Sequence, residues 1–369
     1  MRAEATVPGL YFTVSPPKTE PSPLRSDVAG FIGRTSRGPV GVPIRVEGWR
    51  GYQRVFGGLA ADSVMTYAIR GYFDNEGEVA HVIRLATDGA KTAWAEWKVG
   101  ESDGRSWEAN APTGFDYPRY SITASSPGSW ANNTRVQITY RSKGALGTPE
   151  LDFAISVPNE PTQYFTALGL DERKPIEEGA AQTFAELVVE SSRFIKITPS
   201  TRKPKGRLSD TGPHALTWNV ILDGGHDGEK PGSSLYLEAA GKLGEVPEVA
   251  IVAVPGLVED VGKDEAARRE VVTALIEQAE ALRDRMVVVD VPTDRDDPEQ
   301  ALRDVNEALK WVEGLRHHVD NKASRVAAVY HPRLTVADPL GGVRQPLRNV
   351  PPSGHVAGVI SRLDRQRGA

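Results

Sequence analysis

The sequence predicts an α/β protein of more than one domain: a parallel βαβαβ core, an inserted β-rich part of sandwich or barrel type, and an extended N-terminal arm. Three observations carry this expectation. Between Glu248 and Tyr330, short runs of apolar β-formers alternate with two long stretches of helical periodicity, and crossovers of that length make the strands parallel. Between about 88 and 200 the pattern changes to short strand-like segments separated by turn clusters, with tryptophans among them. Near the N-terminus, PGLYFTV is followed by SPPKTEPSP, whose prolines forbid helix and favour polyproline-like extension.

Taken in chain order, Leu10, Tyr11, Phe12, Thr13 and Val14 form an apolar strand on a stiff tether. A strand without a neighbour of its own invites addition to a sheet edge of another chain. Val28–Gly33 reads as a buried strand and Pro43–Val46 as another. From Leu59 to Phe73 the residues Val64, Tyr67, Ala68, Gly71 and Tyr72 mark an amphipathic helix, which Asn75-Glu76-Gly77 stops. Val79–Leu85 is the next strand. Tyr120–Ala124, Arg135–Tyr140, Leu151–Val157 and Phe194–Ile197 are the strands expected of the insertion, with a helix-like stretch at Ala180–Glu190.

In the second α/β part, Val249–Val254 is a continuous apolar strand. Asp264–Arg283 is a helix with Val271, Val272, Leu275, Ile276, Ala279 and Leu282 inward, and Met286–Val291 is the following strand. Asp297 as N-cap and Pro298 start a second helix, with Leu302, Val305, Leu309 and Val312 inward. Arg325–Tyr330 is the third strand. The last forty residues show little regular pattern. These readings divide the chain into an arm and linker at 1–27, a first α/β segment at 28–87, a β-rich insertion at 88–200, an α/β core at 201–340, and an extended C-terminal segment at 341–369.

Composition narrows the function. The 369 residues carry a net charge of −5 with no long basic stripe, so nucleic acid is not an expected partner. No cysteine is present, which excludes disulfides, thiolate metal sites and a cysteine nucleophile. The opening MRAEATVPGLYF lacks the apolar core of a signal peptide, and no run reaches the length of a membrane span, so cytoplasmic synthesis without direct membrane insertion is expected.

The catalytic inventory is close to empty. Asp290, Asp294, Asp296 and Asp297 follow a parallel strand, where α/β enzymes place metal or phosphoryl-transfer sites. A solvated turn and helix cap accounts for them as well, so a hydrolase using Asp290 and Asp294 is the alternative reading. Asp223–Gly228 begins like a calcium loop, but its twelfth position is Ser234, not the glutamate that such a loop needs. Gly256–Lys263 has the wrong spacing for a phosphate loop. His317 and His318 are adjacent and diverge on a helix. No cofactor or metal is expected. Trp94, Trp97 and Trp107 leave a further reading open, a monomeric protein recognising a carbohydrate or cell surface, although core or rim packing explains them too.

The ordered series of segments resembles the contractile tail sheath family of phages, pyocin-like particles and extracellular contractile injection systems. The resemblance rests on PGLY with its proline-rich linker, VAGFIGRTSRGPVGVPIRVEGW, YQRVFGG, YAIRGYFDNEG, HVIRLA, SITASSPGSWANNTRVQI, ILDGGHDG, VAIVAVPGL, RDRMVVVDVP, RVAAVYHPRLTVADP and VPPSGHVAGVISRLDRQRG, in that order. It implies a structural subunit, not an enzyme. Such subunits stack helically around an inner tube, join by donated terminal strands, and contract on a baseplate signal to drive the tube through a membrane. The implied partners are other sheath subunits, the inner tube protein and the baseplate, in a virion tail or extracellular particle. In the family the last of these segments is followed by a further C-terminal domain. Here the sequence reaches Ala369, so a truncated or variant form is expected.

Overall fold

The computed structural model describes residues 25–98, 101–102, 105–106, 119–141, 150–169, 188, 191–200, 215–292, 301–319 and 323–367. The first α/β part comprises β1 (Val28–Gly33), β2 (Ile44–Glu47), α1 (Gly48–Phe56), α2 (Val64–Asp74) and β3 (Val79–Arg84). Strands β4 (Trp94–Lys98), β5 (Arg119–Ala124), β6 (Arg135–Arg141), β7 (Glu150–Ser156), β8 (Gln163–Gly169), β9 (Ile195–Pro199) and β10 (Ala215–Ile221) follow. The chain then returns through α3 (Ser233–Gly244), β11 (Ile251–Ala253), α4 (Leu257–Val261), α5 (Glu265–Leu282), β12 (Met286–Asp290), α6 (Ala301–Arg316) and β13 (Ala327–Tyr330). It closes with β14 (Leu334–Ala337), β15 (Leu347–Val350) and α7 (Ser353–Arg367).

Six strands form the central sheet in the order β13-β12-β11-β1-β3-β2. All neighbours pair in parallel except β2, which runs antiparallel to β3 at the edge. The strands are apolar on both faces because both faces are covered. Ile32, Ile83, Val252, Val287 and Val289 pack against α3, α5 and α6, while Phe31, Val82, Ile251 and Val288 pack against α1, α2 and α7. This explains why Val79–Arg84 is buried at every position. Asp264 caps α5 by accepting from the Ala267 amide at 3.0 Å, and Arg283 in the left-handed region ends the helix.

The β-rich part is two antiparallel sheets, β8-β7-β6-β10 and β9-β5-β4, closed over one core. Trp97, 1 % exposed, lies at its centre, stacked on Tyr120 at 4.9 Å and edge-on to Phe153 and Trp218. This part reaches beyond the expected limit at residue 200: β10 pairs with β6 along its full length and turns Leu216, Trp218 and Val220 into the core. The helix-like stretch Ala180–Glu190 lies outside the described residues, apart from Val188.

Buried arginines join the two cores. Arg84, at the end of β3, donates from Nη1 to Gly38 O at 2.9 Å and from Nη2 to Pro127 O at 2.8 Å. Burial lowers its pKa to about 10, so it stays charged at neutral pH, and nearby Asp227 partly offsets the shift. Arg37 donates to Glu160 Oε1 at 2.6 Å and to Gln53 O at 3.0 Å, with its guanidinium over the rings of Trp130 and Phe194. Gly38 turns at φ +107 between them, its amide bonded to Ser126 Oγ at 3.0 Å.

Three expectations about these elements need correction. On α5, Leu282 is 42 % exposed at the end of the helix and does not join the inward face of Val271, Val272, Leu275, Ile276 and Ala279. In α6 the inward residues are Ala308, Trp311 and Leu315 with Val312 half-buried, whereas Val305 and Leu309 are 42 % and 55 % exposed. The helix carries two apolar stripes, and the bulkier one that includes Trp311 takes the sheet. The Leu302 side chain, with the cap residues Asp297 and Pro298, lies outside the described residues.

The C-terminal segment 341–369 is not extended: it supplies β15, which pairs with β14, and the fifteen-residue helix α7. The buried face of α7 is Ser353, Gly354, Ala357, Gly358 and Ser361, so no apolar stripe announces it. Small residues there let its backbone approach α2 closely. A Cβ on Gly354 would overlap the Ala68 carbonyl oxygen, and one on Gly358 would lie 2.5 Å from the Tyr72 carbonyl oxygen. Gly358→Ala should therefore destabilise the fold by about 1–3 kcal/mol, although in a free helix the same change gains about 1 kcal/mol. A denaturant midpoint equal to or above that of the parent would show that the two helices are not in tight contact.

Candidate assembly surface

The arm residues Leu10, Tyr11, Phe12, Thr13 and Val14 lie outside the described residues. Among the described residues the strand edges include the exposed β14–β15 hairpin. Leu334 pairs with Val350, Thr335 with Asn349, Val336 with Arg348 and Ala337 with Leu347. One face of the hairpin therefore carries Leu334, Val336, Arg348 and Val350, and the other Thr335, Ala337, Leu347 and Asn349. The first face turns to the body: Val350 is buried and Arg348 lies 4.5 Å over the Tyr67 ring of α2. The Tyr67 hydroxyl donates to Asp338 Oδ1 at 2.6 Å, and Asp338 also accepts from the Leu340 amide at 2.9 Å. These contacts fix β15 and the loop. On β14, Leu334, Thr335 and Ala337 are exposed, and among the described residues β14 pairs only with β15. Leu347 is 62 % exposed and Val343, in the loop, fully so.

The residues singled out for chemistry are engaged in the fold. Asp290 accepts from the Ser353 amide at 2.9 Å and from Ser353 Oγ at 2.5 Å, so it caps α7 from the end of β12. Asp294, Asp296 and Asp297 lie outside the described residues. Asp227 accepts from the Ser129 amide and hydroxyl, and Asp223 from the Gly224 amide. Asp260 is bonded to Arg34 Nε at 2.7 Å and to the Tyr236 hydroxyl at 2.8 Å, and burial raises its pKa against the pull of Arg34. Among the described residues no three His, Asp or Glu side chains converge as a metal site, and no helix is long and apolar enough to cross a membrane. Of the tryptophans, Trp97 is core, Trp94 is 57 % exposed, and Trp107 lies outside the described residues.

Sequence reasoning treated Asp290 as a loop acid. The helix that it caps was the missing signal. Burial pushes its pKa up to about 7, while the Ser353 bonds pull the other way. A raised carboxyl pKa favours the protonated native state, so this group's contribution to stability is full below its ordinary value of 3.8 and is lost as pH rises through about 7. Asp290→Asn keeps an acceptor for the Ser353 amide and cannot ionise. Its thermal midpoint relative to the parent should rise progressively between about pH 4 and pH 8. A difference that does not vary with pH would exclude a buried, raised carboxyl here.

No family model matches the chain, and neither does any curated protein. Among solved structures, the chain is similar to a sheath tail protein of Listeria innocua, with a TM-score of 0.51, 11 % identity, and coverage of 92 % of this chain and 56 % of that one. A sheath tail protein of Desulfitobacterium hafniense matches with a TM-score of 0.47, 12 % identity, and coverage of 96 % and 61 %. The helical sheath of the anti-feeding prophage in its contracted state matches with a TM-score of 0.41, 15 % identity, and coverage of 99 % and 54 %. The chain thus spans little more than half the length of these structures. It shares the multi-domain α/β fold of the Listeria sheath tail protein.

Proposed function

We propose that this chain is a structural subunit of a contractile tail sheath, one that assembles helically around an inner tube and shortens to drive it through a target membrane. The observation that carries the reading is the fold shared with the Listeria sheath tail protein over 92 % of this chain. The side chains most suggestive of catalysis add support. Asp290 and Asp260 are committed to bonds that hold the α/β layers together, which suits a scaffold better than a hydrolase. In this reading residues 1–27 are the arm and connector, and Leu10–Val14 are given to a neighbouring subunit as an added strand. The inner tube and baseplate are the further partners, and the assembled particle is a phage tail or an extracellular injection device.

Negative-stain microscopy tests the class. Tubes with a helical repeat, formed by the chain alone or together with a sheath-forming partner of full family length, are the expected result. A chain that stays monomeric and excluded from the partner's tubes would overturn the proposal. Deleting residues 1–20 should leave the thermal midpoint unchanged but abolish ordered polymer. Tubes of normal appearance from the deleted form would rule out the donated arm.

A further inference from the structure

We infer that the outer face of the β9-β5-β4 sheet is a binding surface for a neutral saccharide, with Trp94 as its platform. The inference goes beyond the sheath reading and does not depend on it. Alternation along β4 turns Ala95 and Trp97 into the β-rich core and leaves Trp94 and Glu96 outside. Pairing then sets their neighbours. Trp94 lies opposite Thr123 and Thr123 opposite Lys196, while Glu96 lies opposite Ser121 and Ser121 opposite Thr198. With strands about 4.8 Å apart and alternate residues about 7 Å apart, these two rows of side chains cover a flat patch of about 10 Å by 7 Å. Trp94, Glu96, Lys196 and Thr198 are exposed, and Ser121 and Thr123 are half-buried. Among the described residues none of these side chains takes part in a hydrogen bond, an ion pair or a ring contact, whereas Asp290, Asp260 and Asp227 are committed within the fold.

The chemistry of the patch decides its occupant. An exposed indole is a large apolar plate, and covering it is favourable. A sugar ring has an apolar C–H face edged by hydroxyls, so that face suits the indole. Its hydroxyls then meet a carboxylate acceptor in Glu96, an ammonium donor in Lys196, and the hydroxyls of Ser121, Thr123 and Thr198, which both donate and accept. Glu96 and Asp223, the latter bridged to Trp94, stand against the single cation Lys196, so the patch has no positive excess to draw an anionic glycan. A protein partner fits less well, because interface cores are depleted of charge and serine and gather several aromatics. Nucleic acid would need a basic face. Tyr164 on β8 is also exposed, but its cross-strand neighbour is Ala154, whose side chain offers a ligand no hydrogen bond.

Native electrophoresis of the full-length chain tests this, in gels cast with mannan, with hydroxyethyl cellulose or, as an anionic counterpart, with alginate. Retardation by at least one of the two neutral polysaccharides is the expected result. It should be lost in Trp94→Ala, kept in Trp94→Phe, weakened in Lys196→Ala and unchanged in Tyr164→Ala. These positions are exposed, so the variants should keep the parent's thermal midpoint. Retardation by neither neutral polysaccharide, or by alginate alone, would overturn the proposal, as would retardation that survives Trp94→Ala. Loss in Tyr164→Ala with Trp94→Ala unaffected would place the site on the other sheet and equally overturn it. Tube formation is read in a separate experiment and should not change in Trp94→Ala, so failure of this proposal and failure of the sheath reading are told apart.

Discussion

Among the described residues three hydrophobic clusters are buried, one on each face of the central sheet and one in the β-rich part, and buried cations bond across the seam between the two parts. Arg84 bridges Gly38 from the central-sheet part and Pro127 from the β-rich part with two hydrogen bonds from a single guanidinium. A buried charge without partners would cost several kcal/mol, so the loops on both sides must present their carbonyls for the site to exist. Arg37 repeats the arrangement nearby with Glu160, Gln53 and two aromatic rings. The planar fork of arginine suits this work because it donates in fixed directions, which a lysine ammonium does not.

The same economy of polar groups appears at the C-terminal ends of the parallel strands. In open α/β sheets that rim is where ligands bind. Here Asp260 accepts from both Arg34 and Tyr236 beyond β1, and Asp290 at the end of β12 is taken up by Ser353. The rim has become the place where α7 starts and the hairpin attaches.

What the sequence disclosed follows from how each element is buried. Strands β1, β3, β11 and β12 were legible because a strand covered on both faces must be apolar throughout, and α5 because a broad aliphatic stripe faces the sheet. Helix α7 was not, since its contact with α2 uses Gly354, Ala357 and Gly358, and close backbone approach leaves no hydrophobic periodicity. In α6 two apolar stripes compete, and only the position of Trp311 against the sheet settles which is inward. The hairpin was hidden by its Pro- and Gly-rich surroundings, and the role of Asp290 by the distance of 63 residues to its partner.

The anchoring of the hairpin has a mechanical side. Strand β15 is tied to α2 by Arg348 and Tyr67, and α2 is in turn clasped by the glycine face of α7. A pull along β14 therefore loads the β14–β15 backbone bonds side by side, in shear, so that no single bond bears the load first. The force then passes through the Arg348 and Tyr67 side chains into α2, and from α2 into its close backbone contact with α7. A load applied at that edge would therefore reach the central sheet with little slack.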